Sequence, residues 1–184
     1  MKALNPERVP YSHYPVVLIT GDGRSLLSDL EDFSILSIPH DVMAIGRSIN
    51  KYPGDVLHWA NVDGADSKWW AEHLPGKPVR HTIGKADGYD VFWDDEKVDF
   101  MPFYGSTALF AVLICLEMGY ERIFLAGCPL DKLGHWFNES DTGPDWRPED
   151  YQAWIDFAKT PSAKKVISLS GETKRILDES HNFQ

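Results

Sequence analysis

The side chains best suited to chemistry lie in one polar loop and a few glycine-marked turns. The loop from Leu130 to Asp145 gathers Asp131, His135, Trp136, Asn138, Asp141 and Asp145. An imidazole has an ordinary pKa of about 6.5, which suits it to take a proton near neutral pH. His135 is therefore the candidate general base, and Asp131 is the second catalytic candidate. The same loop also allows a metal-assisted hydrolase built on His135, Asp141 and Asp145, although their spacing matches no known metal-binding pattern.

Four places at turns and strand ends could hold an anion or a sugar. Gly105-Ser106-Thr107 precedes the apolar run Ala108 to Met118. Free N–H groups at a helix start, together with two hydroxyls, make an anion site there, or one hydroxyl simply caps the helix. Thr20-Gly21-Asp22-Gly23-Arg24-Ser25 follows the apolar run Val16 to Ile19 and carries Gly21, Asp22, Gly23 and Ser25 as candidates. It is Gly-x-Gly rather than the full Gly-x-Gly-x-x-Gly fingerprint, so nicotinamide binding is not supported. The turn either contacts a phosphate or ribose, or is a turn only. Arg47 and Asn50 follow the strand-like Val42-Met43-Ala44-Ile45-Gly46. They could meet an anion and a base or ribose edge, or bond nearby carbonyls. Asp63, ending the run from Val56, could hold a ribose or a metal-bound phosphate, or cap a helix. A divalent metal on Asp63 or Asp131 is expected only for phosphoryl transfer. The cofactor is otherwise unknown from the sequence.

These groups need a scaffold, and the hydrophobic pattern supplies one. Short apolar β-rich runs at 16–19, 42–45, 56–63, 79–83, 122–126 and 166–170 read as strands. Helical spacing places helices from Leu26, with Ser25 as N-cap, from Ala65 to Leu74, from Ala108 to Met118, from Pro148 to Lys159 and from Glu172 to Asp178. The run at 108–118 is apolar nearly all round, which implies a buried helix, and Gly119 stops it. Strands apolar on both faces imply a mostly parallel sheet with helices on both faces. The chain thus reads as one α/β domain over 1–184, with an irregular lead-in at 1–14 and a tail at 180–184. Trp69 and Trp70 read as packing rather than ligand platforms, and His81 as a partly buried structural histidine. Asp94-Asp95-Glu96 reads as a solvated loop, with a divalent-cation site as the lesser alternative.

Composition narrows the partners. With 28 acidic against 18 basic residues among 184, the net charge is −10, which argues against a nucleic-acid partner. Cys115 and Cys128 lack metal-knuckle spacing and read as buried free thiols, as in a reducing compartment. The start, MKALNPERVPYSHYP, has no apolar core of a signal peptide, and no run has the roughly 20 apolar residues of a membrane span. A cytoplasmic location is expected. Oligomeric state is open.

The order of segments resembles two related groups, the bacterial sialyltransferases and the MptE-like 6-hydroxymethylpterin pyrophosphokinase superfamily. Val16-Val17-Leu18-Ile19-Thr20-Gly21-Asp22-Gly23-Arg24-Ser25-Leu26 is similar to their opening strand and Gly-x-Gly-x-Ser-Leu turn. Ala44 to Asn50 resembles their second strand with its asparagine-bearing end. Gly105-Ser106-Thr107 through Gly127 resembles their Gly-Ser/Thr helix and following strand, and Val166 to Gly171 their last strand. The resemblance implies a Rossmann-like sheet that binds a nucleotide. It implies a nucleotide- or nucleotide-sugar-dependent transferase, moving a glycosyl or phosphoryl group, or a silent nucleotide-binding or regulatory module of the same fold. On it, Gly21, Gly23 and Ser25 form the first turn, Arg47 and Asn50 stand at the second strand end, and Gly105, Ser106 and Thr107 face the phosphate. His135 would be the base. The chain departs from the pattern at Asp22, where asparagine is common, at Arg24, where proline is usual, and at Asp131, where the acid is expected directly after Gly127.

Overall fold

A computed structural model describes residues 1–10, 12–62, 68–94, 106–131, 133–137 and 148–182. Seven strands form one sheet: β1 (Val16–Thr20), β2 (Asp41–Ile45), β3 (His58–Ala60), β4 (Val79–Ile83), β5 (Val91–Trp93), β6 (Arg122–Ala126) and β7 (Val166–Ser168). All are parallel, in the order β5-β4-β3-β2-β1-β6-β7. The helices are α1 (Leu26–Ile35), α2 (Lys68–Glu72), α3 (Thr107–Glu117), α4 (Pro148–Ala158) and α5 (Gly171–Asn182). This is the expected Rossmann-like α/β arrangement in a single domain.

Alternation along β1 explains how both faces are filled, because successive strand side chains point to opposite sides. Val17 and Ile19 join Met43, Leu125 and the α3 residues Leu109, Phe110 and Ile114 in one core. Leu18 turns the other way, toward Phe124, Ala126 and the α1 residues Leu26 and Phe33. The sheet centre is therefore apolar on both sides, and α3 is buried along most of its length. Gly119, at φ 91°, ends α3 as expected, since a left-handed turn favours glycine.

The strand order places a switch point between β1 and β6, the fifth and sixth of the seven strands. From β1 the chain builds outward through β2 to β5, then returns through α3 to β6 on the other side of β1. The loops after β1 and β6 thus leave the sheet in opposite directions, and a crevice opens above their carboxyl ends.

Several expectations need correction. β5 was not foreseen: it is three residues long and flanked by Asp90 and Asp94. β3 spans only His58–Ala60 of the expected 56–63. The lead-in is not wholly irregular, since Ala3 pairs antiparallel with Trp93 and Leu4 N–H donates to the Phe92 carbonyl at 2.7 Å, covering the sheet edge. α5 continues to Asn182, through part of the expected tail. Trp69 is 59% exposed and Trp70 38%, so neither is core packing. Cys115 and Cys128 are buried and free, as expected.

His81 is fully buried rather than partly so, within a polar chain that ends on Asp41, the first residue of β2. The Trp93 indole N–H donates to His81 Nδ1 at 3.1 Å. An indole can only donate, so the His81 proton sits on Nε2, which faces His58 Nδ1 at 3.1 Å. The His58 proton is then on Nε2, toward the Tyr120 hydroxyl at 3.2 Å, and Tyr120 O–H donates to Asp41 Oδ2 at 2.9 Å. Both imidazoles are neutral donors in one direction. Burial pushes the His58 pKa down to about 4, against the attraction of Asp41, and holds His81 well below its ordinary range.

A pH dependence of stability follows. Both folded-state values lie below the unfolded value of about 6.5, so as pH falls the unfolded chain takes up protons first. Their penalty is absent above pH 6.5 and grows as pH drops, levelling for His58 only near its folded value of about 4. Denaturant unfolding should lose about 1.4 kcal/mol per pH unit for each histidine across that window. A stability that stays flat from pH 6.5 to 4.5 would contradict the neutral chain.

Candidate functional site

A cavity of about 480 Å³ lies over the switch point. Its wall is assembled from four places: Asp22 and Gly23 after β1, Ile45 and Gly46 after β2, Ser106 to Ala108 at the start of α3, and Gly127 to Asp131 after β6. Gly134 and His135 close one side, and Asp150 and Trp154 of α4 with Thr173 of α5 complete it. The first turn and the α3 start, far apart in sequence, therefore face one cavity.

The glycines of the first turn serve close approach between loops. A Cβ on Gly21 would lie 2.4 Å from the Gly127 carbonyl oxygen, and one on Gly23 2.4 Å from Pro129 Cδ. Their N–H groups are engaged, Gly21 with the Ala126 carbonyl and Gly23 with that of Gly127, each at 2.8 Å. This turn has no spare amides at Gly21 and Gly23 with which to cradle a phosphate. Gly21 lies behind the cavity wall.

Ser25 occupies the position before α1 but does not cap it through its side chain. Its hydroxyl instead donates to Asp29 Oδ2 at 3.0 Å, which also accepts the Gly127 N–H at 2.8 Å and the Ser170 hydroxyl at 2.7 Å. Asp29 is 2% exposed. Three donors satisfy a buried carboxylate whose desolvation would otherwise cost several kcal/mol. This joint locks α1, the end of β6 and the turn before α5 behind the cavity.

At the start of α3, Ser106 does cap: its Oγ accepts the Leu109 N–H at 3.4 Å. Thr107 and Ala108, which follow it, line the cavity at the positive end of an 11-residue helix. Gly105 lies outside the described residues, as do Asp63, Asn138, Asp141 and Asp145.

His135 is placed by backbone pairing. It bridges antiparallel to Gly23, and the Trp136 N–H donates to the Asp22 carbonyl at 3.0 Å, so the loop is docked on the first turn. The His135 ring stacks on Phe137 at 5.0 Å. Asp131 reaches the cavity wall, and its Oδ1 accepts the Leu133 N–H at 2.9 Å. Leu130, next to it, holds φ 49°, a conformation a leucine rarely adopts.

Asp22 bridges the first two strand ends. Its Oδ2 accepts the Arg47 N–H at 2.9 Å, while Oδ1 is sealed from solvent without a hydrogen bond. Burial raises its pKa, opposed by the Arg47 amide and by the nearby His135 and Trp136 side chains. The Arg47 side chain does not line the cavity; its guanidinium lies 4.2 Å from the Phe137 ring centre and 5.0 Å from that of Trp70. Asn50 sits in the 3-10 turn Ser48–Asn50 and donates to the Arg47 carbonyl at 3.3 Å, the local bond that was the alternative to a ligand contact.

Sequence reading did not find Asp150, Trp154 or Thr173. Asp150 and Trp154 are one helical turn apart and both buried, so an acid four residues before a buried tryptophan was the available signal. Among the described residues, no group of three His, Cys, Asp or Glu side chains is placed to hold a metal ion, and no helix is long and apolar enough to cross a membrane.

The Asp29 joint can be tested directly. Asp29→Ala leaves the buried Gly127 N–H without its acceptor, and should lower unfolding stability by roughly 3 kcal/mol in denaturant titration. A loss below about 1 kcal/mol would show that the carboxylate is not what holds the β6 turn. No protein-family model, no curated protein and no solved structure matches the chain.

Proposed function

We propose that this protein is a nucleotide- or nucleotide-sugar-dependent transferase, moving a glycosyl or phosphoryl group in the switch-point cavity. The observation that carries this reading is convergence: the α3 start, the Asp22 turn and His135 all line one cavity at the carboxyl ends of β1 and β6. In open parallel sheets that crevice is the usual place for a nucleotide. A phosphate would sit at the Thr107 and Ala108 amides, since those of Gly21 and Gly23 are already bonded. Negative charge on the leaving group would be stabilised there.

His135 would take the proton from an acceptor hydroxyl. Docking of its loop on Asp22 and Gly23 supports this role, because it fixes the imidazole beside the cavity before any ligand arrives. Asp131 would act from the same loop, four residues before His135. The resemblance to the sialyltransferases and the MptE-like pyrophosphokinases agrees in the order of these segments.

A second reading is a nucleotide-binding or regulatory module without chemistry. The engaged amides of the first turn and the bond of the Asn50 side chain back to the Arg47 carbonyl favour it, because both take up groups that the resemblance implied would meet a ligand.

Isothermal titration with CMP, CDP, ATP and UDP-sugars tests the shared premise: heat from none of them rejects both readings. With a turnover assay in hand, His135→Ala should reduce turnover by at least about 100-fold while nucleotide affinity stays within a few-fold. Turnover that survives this change removes His135 as the base.

A further inference from the structure

Arg47 combines three features that point to a ligand of its own. Its guanidinium is held against the rings of Phe137 and Trp70, at 4.2 and 5.0 Å. Its backbone is pinned by the Asp22 carboxylate at 2.9 Å. Its side-chain N–H donors make no hydrogen bond or ion pair among the described residues. That is unusual company for an arginine in a chain with 28 acidic and 18 basic residues, where a carboxylate partner is easily found. Contact with a ring uses the charge and flat face of a guanidinium and leaves its in-plane donors available, and those donors match the oxygens of a phosphate or carboxylate.

Position adds the second half. Gly46, directly before Arg47, lines the cavity, and Phe137 stacks on His135, which lines it too. The cavity wall itself carries Asp22, Asp131 and Asp150, and neither Lys nor Arg is among its described lining residues. Inside such a wall an anion has only the partial charge of the α3 start, about half a unit. Arg47 brings a full positive charge beside this wall, since Gly46 before it and His135 behind its partner ring Phe137 both line the cavity.

We propose that Arg47, held by Phe137 and Trp70, is a preorganised rim receptor for a second anionic group of the ligand whose first lies at the α3 start. The ligand class is one with two oxyanionic groups on one scaffold, such as a nucleoside diphosphate. The assignment of the rest of that ligand rests on the nucleotide reading of the cavity; the receptor itself rests on the Arg47 geometry.

The test compares CMP, CDP and inorganic pyrophosphate on the wild type and on Arg47→Gln, which keeps the backbone bond to Asp22. The wild type should bind CDP roughly ten- to hundred-fold more tightly than CMP. Arg47→Gln should erase that preference while CMP affinity stays within about threefold. A CDP preference that survives the substitution, or an equal loss for both nucleotides, overturns the receptor and leaves the nucleotide reading standing. If neither nucleotide binds, pyrophosphate that binds the wild type but not Arg47→Gln upholds the receptor and removes the nucleotide reading. Pyrophosphate binding to both proteins alike, or to neither, overturns the receptor.

Discussion

The Asp29 carboxylate is the interaction on which the rest of this structure depends. The two strands that flank the switch point, β1 and β6, send their chains away in opposite directions, and backbone that departs so sharply leaves polar groups to satisfy. Gly127, at φ 67°, makes the turn after β6, and its N–H ends on Asp29 rather than on another strand. The same oxygen takes Ser25 and Ser170, so a single charge ties three chain segments that share no sheet pairing at that point. The glycines follow from this joint. Once Gly127 is drawn onto α1, the turns at Gly21, Gly23 and Gly171 come within 2.4 Å of where any Cβ would meet protein atoms. Gly-x-Gly in this chain is thus explained by contact between its own loops.

That constraint also shapes the cavity. Because Gly21 and Gly23 are closed against β6, the first turn offers Asp22 as its polar side chain rather than a row of amides. Asp22 in turn reaches sideways to the Arg47 amide, and Gly46 leaves room for it: a Cβ there would stand 2.1 Å from Asp22 Oδ2. The His135 loop then lies on the outer edge of the same turn. Joint, turn and loop form a sequence of dependencies running from buried charge to half-buried ring.

How much of this was legible in the sequence depended on whether the signal was local. β1, β2, β6 and α3 are runs of apolar residues buried on both sides, and burial of that kind is written directly in composition. β5 pairs with β4 alone within the sheet, is three residues long, and owes its place partly to Trp93 bonding His81, a contact no local pattern encodes. Trp69 and Trp70 misled because large aromatics usually signal core, whereas here Trp69 stacks on His73 and Trp70 on Arg47 at the surface. Arg47 and Asn50 were read together from one strand end. The 3-10 turn between them separates their side chains, one toward the rings and one back onto the chain. Asp29 was legible and overlooked: it stands three residues after Leu26 and four before Phe33, on the apolar stripe of α1. A carboxylate at such a position must have partners.

Charge distribution connects the scaffold to the chemistry it can support. The chain is acidic throughout, and its cavity wall repeats that bias with three aspartates. An anion entering there meets repulsion unless positive potential is placed deliberately, and the fold places it twice without setting a lysine or arginine among the described residues of the wall. The α3 start contributes its amides from within the wall, because Ser106 spends its side chain on the Leu109 N–H and leaves those of Thr107 and Ala108 unused by that cap. Arg47 contributes from outside, held off the aspartates by rings that a shorter or more flexible cation would not engage in the same way. Two positive points beside an acidic wall match the two anionic groups of the ligand proposed above better than a single one.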